Sequence, residues 1–212
     1  MAEAERTATC EAEAVTNKSI ANIEHPLETS WTYWCDKSTR GATAEQFKDG
    51  LTKIQLISTV EGFWRVYKHI PKVEQLASGV TYHVMRGERQ PMWEDEGNCN
   101  GGTWRFRVPK KDSARVWEEV LLAAIGEQFN DTLAAGDTVV GVSMSIRDRD
   151  DLLQVWNNDS RLAETVYEVM INKINGLFLD PPVNFLASFY KPNQTHQAYE
   201  GVRTNRGYRK PS

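Results

Sequence analysis

Two hydrophobic periods take turns along the chain. Trp104, Phe106 and Val108 alternate with Thr103, Arg105 and Arg107, the two-residue period of a strand with one buried face. Val140, Val142, Met144 and Ile146 alternate in the same way with Gly141, Ser143, Ser145 and Arg147. Shorter alternations surround Ile54 and Leu56, and Val80, Tyr82 and Val84. Helical spacing interrupts these strands three times. Ser58-x-x-Glu61 predicts a capping box, with Phe63, Val66, Tyr67 and Ile70 following on one face. A second helix opens at Asp112 or Ser113 and carries Trp117, Val120, Leu121, Ala124 and Ile125. A third opens at Asp159, buries Leu162, Val166, Val169 and Met170, and closes at Gly176. Together they predict an α+β fold: one curved antiparallel sheet, three helices on its convex face, and a concave face free for a ligand.

A length of 212 residues favours one domain. Residues 1–24 carry five acids, two bases and few large apolar side chains, and read as a flexible acidic tail. From Lys191 onward five bases, one acid, two glycines and two prolines read as a loop and a basic tail. The stretch 25–190 holds all seven tryptophans and is the expected domain. A net charge of -4 excludes binding through a broad basic surface but permits a small basic pocket for one end of an acidic ligand. Three scattered cysteines without a CxxC pair suit neither a disulfide framework nor a zinc site, so no metal or cofactor is expected. The longest apolar run, Val120 to Ile125, is far too short for a bilayer, and the first residues lack the order of a signal peptide. A cytoplasmic protein without a membrane anchor is the expectation, and the four Asn-x-Ser/Thr sequons read as chance.

Catalytic signatures are missing: no phosphate-cradling Gly-rich loop, no HExxH, no GxSxG, and four histidines scattered through the sequence. The informative segment is Gln90-Pro-Met-Trp-Glu-Asp-Glu96, with Gly97, Gly101 and Gly102 close behind. A Trp beside acids in such a loop suits guanine recognition. Indole stacks on the base, Glu accepts from its Watson–Crick edge, and a methylated, cationic guanine adds a cation–π attraction. The alternative is a loop whose Trp93 folds back as a plug while its acids are solvated. A second group lies on the hairpin from Ser145 to Trp156. A two-residue turn at Asp150-Asp151 would pair Arg149 with Leu152, Arg147 with Gln154 and Ser145 with Trp156, projecting two arginines and a Trp from one face. The alternative is a solvated hairpin whose arginines pair with Asp148, Asp150 and Asp151.

His25-Pro-Leu27, Trp31-Thr-Tyr-Trp34, Thr59-Val-Glu-Gly-Phe-Trp64, Pro91-Met-Trp-Glu-Asp95, Gly101-Gly-x-Trp104, Ile125-Gly-Glu127 and the Arg147…Trp156 hairpin occur in an order that resembles translation initiation factor 4E, the messenger-RNA cap-binding family. Gly41-Ala-Thr-Ala44, Met85-Arg-Gly-Glu-Arg89, Val108-Pro-Lys110 and Ser145-Ile-Arg-Asp-Arg149 look like its class III branch. The resemblance runs from about 25 to 190. It implies that 7-methylguanosine cap binds in the concave face, Trp93 stacking on the base and Glu94 holding its Watson–Crick edge. Trp156 would contact the methyl group, and Arg147, with Arg149 nearby, the phosphates. The family's second stacking Trp falls on Phe47, and two of its basic phosphate contacts fall on Thr103 and Leu152. The helical face would bind scaffold or repressor proteins carrying a Tyr-x-x-x-x-Leu-hydrophobic helix, through His25, Pro26, Val60, Trp64, Leu122 and Gly126. Glu118 stands there at a family position that is apolar.

The expectation is therefore a monomeric cap-binding module of translation initiation or its regulation, not an enzyme. Two alternatives stay open: a nucleotide-processing enzyme that hydrolyses caps, and an interaction domain of this fold with weak cap affinity.

Overall fold

The structure, a computed structural model, describes residues 24–37 and 43–194. The acidic tail before Glu24, the basic tail beyond Gln194 and the start of the Gly41-Ala-Thr-Ala44 segment lie outside the described residues. Strands β1 (Pro26–Lys37), β2 (Thr52–Thr59), β3 (Val80–Arg86), β4 (Gly102–Val108), β5 (Val139–Ser145), β6 (Asp151–Asn157) and β7 (Ala187–Pro192) form one antiparallel sheet, ordered β2-β1-β3-β5-β6-β4-β7. Among the described residues there are four α-helices: α1 (Ala44–Gly50), α2 (Val60–His69), α3 (Ser113–Ile125) and α4 (Tyr167–Gly176).

The core lies between one sheet face and α2, α3 and α4. Trp31, Tyr33, Val84, Trp104, Phe106, Val142, Met144, Leu153 and Val155 cover that face, and Phe63, Tyr67, Trp117, Val120, Leu121, Met170 and Ile174 descend on it. Tyr33 is a hinge of this packing, edge-on to both Tyr82 and Trp117, and it accepts the Trp117 indole N–H at 3.2 Å. The strand registers put the complementary set on the opposite, open face: Thr32, Trp34 and Asp36 of β1, His83 and Met85 of β3, Gly141 and Ser143 of β5, Gln154 and Trp156 of β6, Thr103 and Arg105 of β4, and Lys191 of β7. A small second cluster of Trp34, Met85, Val140 and Trp156 sits at one end of that face, with Leu51 packed on it. The helix α1, which periodicity does not predict, enters on this side. It is closed by a capping box between Thr43 and Gln46.

Other expectations need correction. The cap of α2 is Thr59, which accepts from the Gly62 N–H at 3.1 Å; Glu61 instead reaches across to His25. The third expected helix starts at Tyr167, not Asp159. Asp159 spends its carboxylate on Arg161, and a series of turns precedes the helix, so Leu162 (45% exposed) and Val169 (48%) face outward while Ala163, Met170 and Ile174 are buried. The β5–β6 hairpin has a five-residue loop, 146–150, and pairs Ser145 with Leu152, Ser143 with Gln154 and Gly141 with Trp156. Ser145, Leu152, Gln154 and Trp156 share a face as expected, but the register differs, and Arg147 and Arg149 fall in the loop rather than on that face. A tight Asp150-Asp151 turn is prevented because both carboxylates are buried and engaged: Asp150 with Arg107, and Asp151 with Lys110, Ser113 and the Arg147 backbone N–H. Lys191, expected to begin the C-terminal loop, lies inside β7.

Candidate functional site

The loop between β3 and β4 leaves the sheet beside Met85 and returns at Gly102, opposite Asn157. Its shape is set from within. Asn98 is fully buried and donates from Nδ2 to the carbonyls of Gln90 (2.7 Å) and Met92 (2.8 Å), while its backbone N–H reaches the Asp95 carbonyl at 2.8 Å. Asp95 accepts from the Gly97 N–H, Arg89 donates to the Gly97 carbonyl, and Asn193, beyond β7, donates to the Asn98 carbonyl at 2.8 Å. This lacing turns Trp93 outward. At 36% it is the most exposed of the seven tryptophans, and Glu94 beside it is exposed with no hydrogen bond or ion pair among the described residues. An indole is costly to leave in water, so a rigid loop that holds one out beside a carboxylate presents a stacking platform with an adjacent acceptor.

Trp156 lies at the same end of the sheet, but only 1% exposed, packed with Trp34, Met85 and Val140. Gly141 opposite it leaves room for Met85, whose Sδ would run into any β-carbon there. The indole N–H of Trp156 donates to Ser143 Oγ at 2.9 Å.

Arg147 and Arg149 are exposed in the hairpin loop at the other end of the strands, rather than on the strands themselves. From Trp156 to Leu152 is four residues, about 13 Å along an extended strand. The hairpin's acids do not claim these arginines, since Asp148 accepts from Ser78 and Asp150 and Asp151 are engaged as above. Phe47, on α1, is half-buried, and its helix follows the Lys37 end of β1, the end that also carries the hairpin loop. Thus Trp93, Glu94 and Trp156 gather at one end and Arg147 and Arg149 at the other, while the Phe47 helix ends at Leu51 on the Trp156 cluster.

Between them stands a cation that sequence reading passed over. Arg105 projects onto the open face opposite Gln154, and its Nε donates to Thr103 Oγ1 at 2.8 Å. Burial, then the nearby Arg147 charge, pulls its pKa down to about 10. Lys191 is paired with Thr103 across β7, and its pKa is lowered by burial and by Arg105. Like charges gathered so closely are stabilised by an anion. Thr103 carries no charge but aims one. The signal lies in the alternation of β4, which puts Thr103 and Arg105 on the face away from the core; Lys191, by composition, reads as part of the C-terminal loop.

On the helical face, His25 precedes β1 and Pro26 opens it, Val60 and Trp64 lie on α2, Leu122 lies in the last turn of α3 and Gly126 caps it. His25 is tied to α2 by Glu61, whose carboxylate accepts from the His25 backbone N–H (2.9 Å) and from Nδ1 (2.7 Å), and the Val60 N–H returns to the His25 carbonyl. Glu118 of α3 and Tyr67 of α2 line one cavity, and burial, followed by that carboxylate's charge, pushes the phenol pKa up. Tyr67 is one turn beyond Trp64, and Glu118 one turn before Leu122, so the carboxylate and the phenol lie between α2 and α3 beside the proposed docking residues. Val60 is 38% exposed; Trp64 and Leu122 are half-buried against the core.

The fold is thus an open antiparallel sheet with helices on one face, and with an exposed Trp-Glu pair and basic side chains at the other. The sequence model of the family described as Eukaryotic initiation factor 4E matches residues 26–206, and the chain belongs to that family. It is 35% identical over 144 residues to a protein of Arabidopsis thaliana named eukaryotic translation initiation factor NCBP, covering 68% of this chain and 63% of that protein. It is 33% identical over 193 residues to the NCBP of Oryza sativa subsp. japonica, covering 91% and 80%. Among solved structures, C. elegans eIF4E-3 in complex with the 4E-binding protein Mextli and cap analog has a TM-score of 0.71 at 29% identity, covering 83% of this chain and 96% of that one. Ascaris suum eIF4E-3 with m2,2,7G cap has a TM-score of 0.65 at 31% identity, covering 80% and 97%. No helix among the described residues is long and apolar enough to cross a membrane.

Proposed function

We propose that this protein binds the 7-methylguanosine cap of messenger RNA on the open face and serves translation initiation or its regulation in the cytosol, as a binding protein rather than a catalyst. The observation that carries this reading is the exposed Trp93 beside the exposed Glu94, on a loop laced by a buried asparagine. Trp93 stacks on the base, Glu94 accepts from its Watson–Crick edge, and Phe47 closes the other side when the ligand is bound. Trp156 lies toward the methyl group. Arg147, with Arg149 nearby, meets the phosphates, joined by Arg105 and Lys191. The likeness to solved cap complexes of C. elegans and Ascaris suum proteins supports this assignment. The surface of His25, Pro26, Val60, Trp64, Leu122 and Gly126 takes the partner helix, and a neighbouring structure that includes the 4E-binding protein Mextli supports that half.

A titration with 7-methyl-GTP followed by tryptophan fluorescence tests the reading. Saturable quenching is expected, with turnover of the cap analogue absent when a divalent cation is added. Trp93→Ala should weaken binding by roughly 1–3 kcal/mol, and Glu94→Ala by about 1.5–3 kcal/mol as a charged acceptor is lost. Wild-type affinity in both variants would overturn the assignment.

A further inference from the structure

Beneath the open face, one polar chain crosses four strands. Trp156 of β6 donates its indole N–H to Ser143 Oγ of β5 (2.9 Å); Ser143 Oγ lies 2.7 Å from His83 Nδ1 of β3; and His83 Nε2 lies 2.7 Å from Asp36 Oδ1 of β1. All four side chains are buried: Asp36 at 3%, His83 at 5%, Ser143 at 0% and Trp156 at 1%. With a neutral imidazole, the two ends fix the direction of the bonds between them. An indole N–H only donates and a carboxylate only accepts. A neutral imidazole must then donate from Nε2 to Asp36 and accept at Nδ1, so the Ser143 hydroxyl gives its hydrogen to His83 and its oxygen to Trp156.

Three buried polar side chains, one of them a carboxylate, are an expensive way to satisfy one indole N–H. The fold shows that it does not require this. Trp31, Trp34 and Trp104 keep their indole N–H groups buried without a hydrogen-bond partner among the described residues. Trp117 donates to the Tyr33 hydroxyl alone, so among the described residues Trp156, at the end of the open face nearest the Trp93 loop, is the buried tryptophan tied to a chain of several buried polar groups. Apolar neighbours limit where a ring sits, but a hydrogen bond to its edge also selects which way its plane faces. For a ring that meets a cationic methylated base, that orientation decides the strength of the contact, because the attraction resides in the ring face.

We propose that Asp36, His83 and Ser143 are positioning residues that fix the plane of Trp156, and that through it they set the preference for a 7-methylated over an unmethylated guanine. The proposal rests on the reading that Trp156 belongs to the base site. His83 and Asp36 act at a distance, through Ser143, and none of the three needs to touch the ligand.

The experiment measures affinities for 7-methyl-GTP and GTP in the full chain and takes their ratio, alongside the indole N–H resonance of Trp156 in 15N-labelled protein, assigned by its loss in Trp156→Phe. Ser143→Ala should reduce the ratio roughly three- to tenfold, the range for one lost buried hydrogen bond, and shift the indole signal. Asp36→Asn keeps the shape but removes the charge that selects the imidazole tautomer, so Nδ1 can carry the proton and donate to Ser143 Oγ in competition with the Trp156 N–H. It should lower the ratio and move the same signal, and it keeps the proposal testable should Ser143→Ala fail to fold. Ser143→Thr, which retains the hydroxyl, should restore both readouts. A wild-type ratio in Asp36→Asn overturns the proposal, provided that Trp156→Phe lowers it. A wild-type ratio in Trp156→Phe itself overturns the placement of Trp156 in the base site, and the proposal with it.

Discussion

Glu61 does not close its own helix but holds His25, thirty-six residues earlier, through both the backbone N–H and the ring nitrogen. These hydrogen bonds keep the Glu61 pKa at about 2, so the carboxylate stays charged throughout the neutral range. The pair fastens the start of β1 against α2, where the partner helix is proposed to dock. Glu61→Gln and His25→Ala should each weaken a Tyr-x-x-x-x-Leu peptide a few-fold, and the double variant should do little more, as residues acting as one unit are not additive. Calorimetric titration of the four proteins checks this; additive losses would show that the pair does not act as one unit in docking.

Arg105 changes what phosphate should do. With Thr103 and Leu152 uncharged, the sequence alone argues for a shallow dependence on phosphate number. The grouping of Arg105, Arg147 and Lys191 argues for a steeper one. Lengthening the cap analogue from mono- to triphosphate should therefore tighten binding, with a salt dependence that Arg105→Leu flattens. A hydrogen bond to a charged group is worth about 1.5–3 kcal/mol, which bounds the loss. Equal phosphate dependence in wild type and Arg105→Leu would remove Arg105 from the site.

Arg86 and Glu127 form a two-pronged ion pair, 2.7 Å at each contact, that joins the end of β3 to the turn after α3. Burial alone would raise the Glu127 pKa, but the hydrogen bonds and charge of Arg86, with one more bond from Thr29, hold it below the usual carboxylate value. A folded-state pKa below the unfolded one means that the folded protein releases this proton more readily. The stabilisation is thus complete above the unfolded value of about 4.3 and is lost as pH falls through the folded value. Thermal midpoints measured from about pH 7 to about pH 3 should fall more steeply for wild type than for Glu127→Gln.

Neighbours on α4 separate the expected helix from the observed one. Met170→Ala should destabilise by about 2–5 kcal/mol, since its side chain is fully buried. Val169→Ala should stay within about 0.5 kcal/mol, the usual range for a surface position. Chemical denaturation of both variants decides; equal losses would restore the earlier register.

Where one face meets the core and the other meets solvent, the sequence announces its elements. This is why β4, β5, α2 and α3 were legible, together with the outward Trp93 and its acidic neighbour. It fails where both faces are covered. In β1, Trp31 and Tyr33 enter the main core while Thr32, Trp34 and Asp36 are buried on the other side, which leaves no alternation to read. It also fails where distant charge decides local shape. The hairpin loop is lengthened by Arg107, Lys110 and Ser113, some forty residues before the aspartates they hold. Asp159 looks like a helix start, yet its carboxylate serves Arg161 in a turn. The polar chain behind Trp156 has no local signature, because its members are brought together by strand order alone.

Asn193 donates to a carbonyl of the Trp93 loop, ninety-five residues away in sequence, while its own backbone N–H bonds to Gly101. The loop proposed to stack on the base and the last strand are therefore a single mechanical unit. A chain ended at Tyr190, where the pattern of apolar residues runs out, would keep nearly the whole core and lose the latch. It should fold with near-native helix content yet hold its ligand poorly, its tryptophan platform swinging on an untied hinge. For this protein, the limit of the hydrophobic core and the limit of the working receptor are different residues.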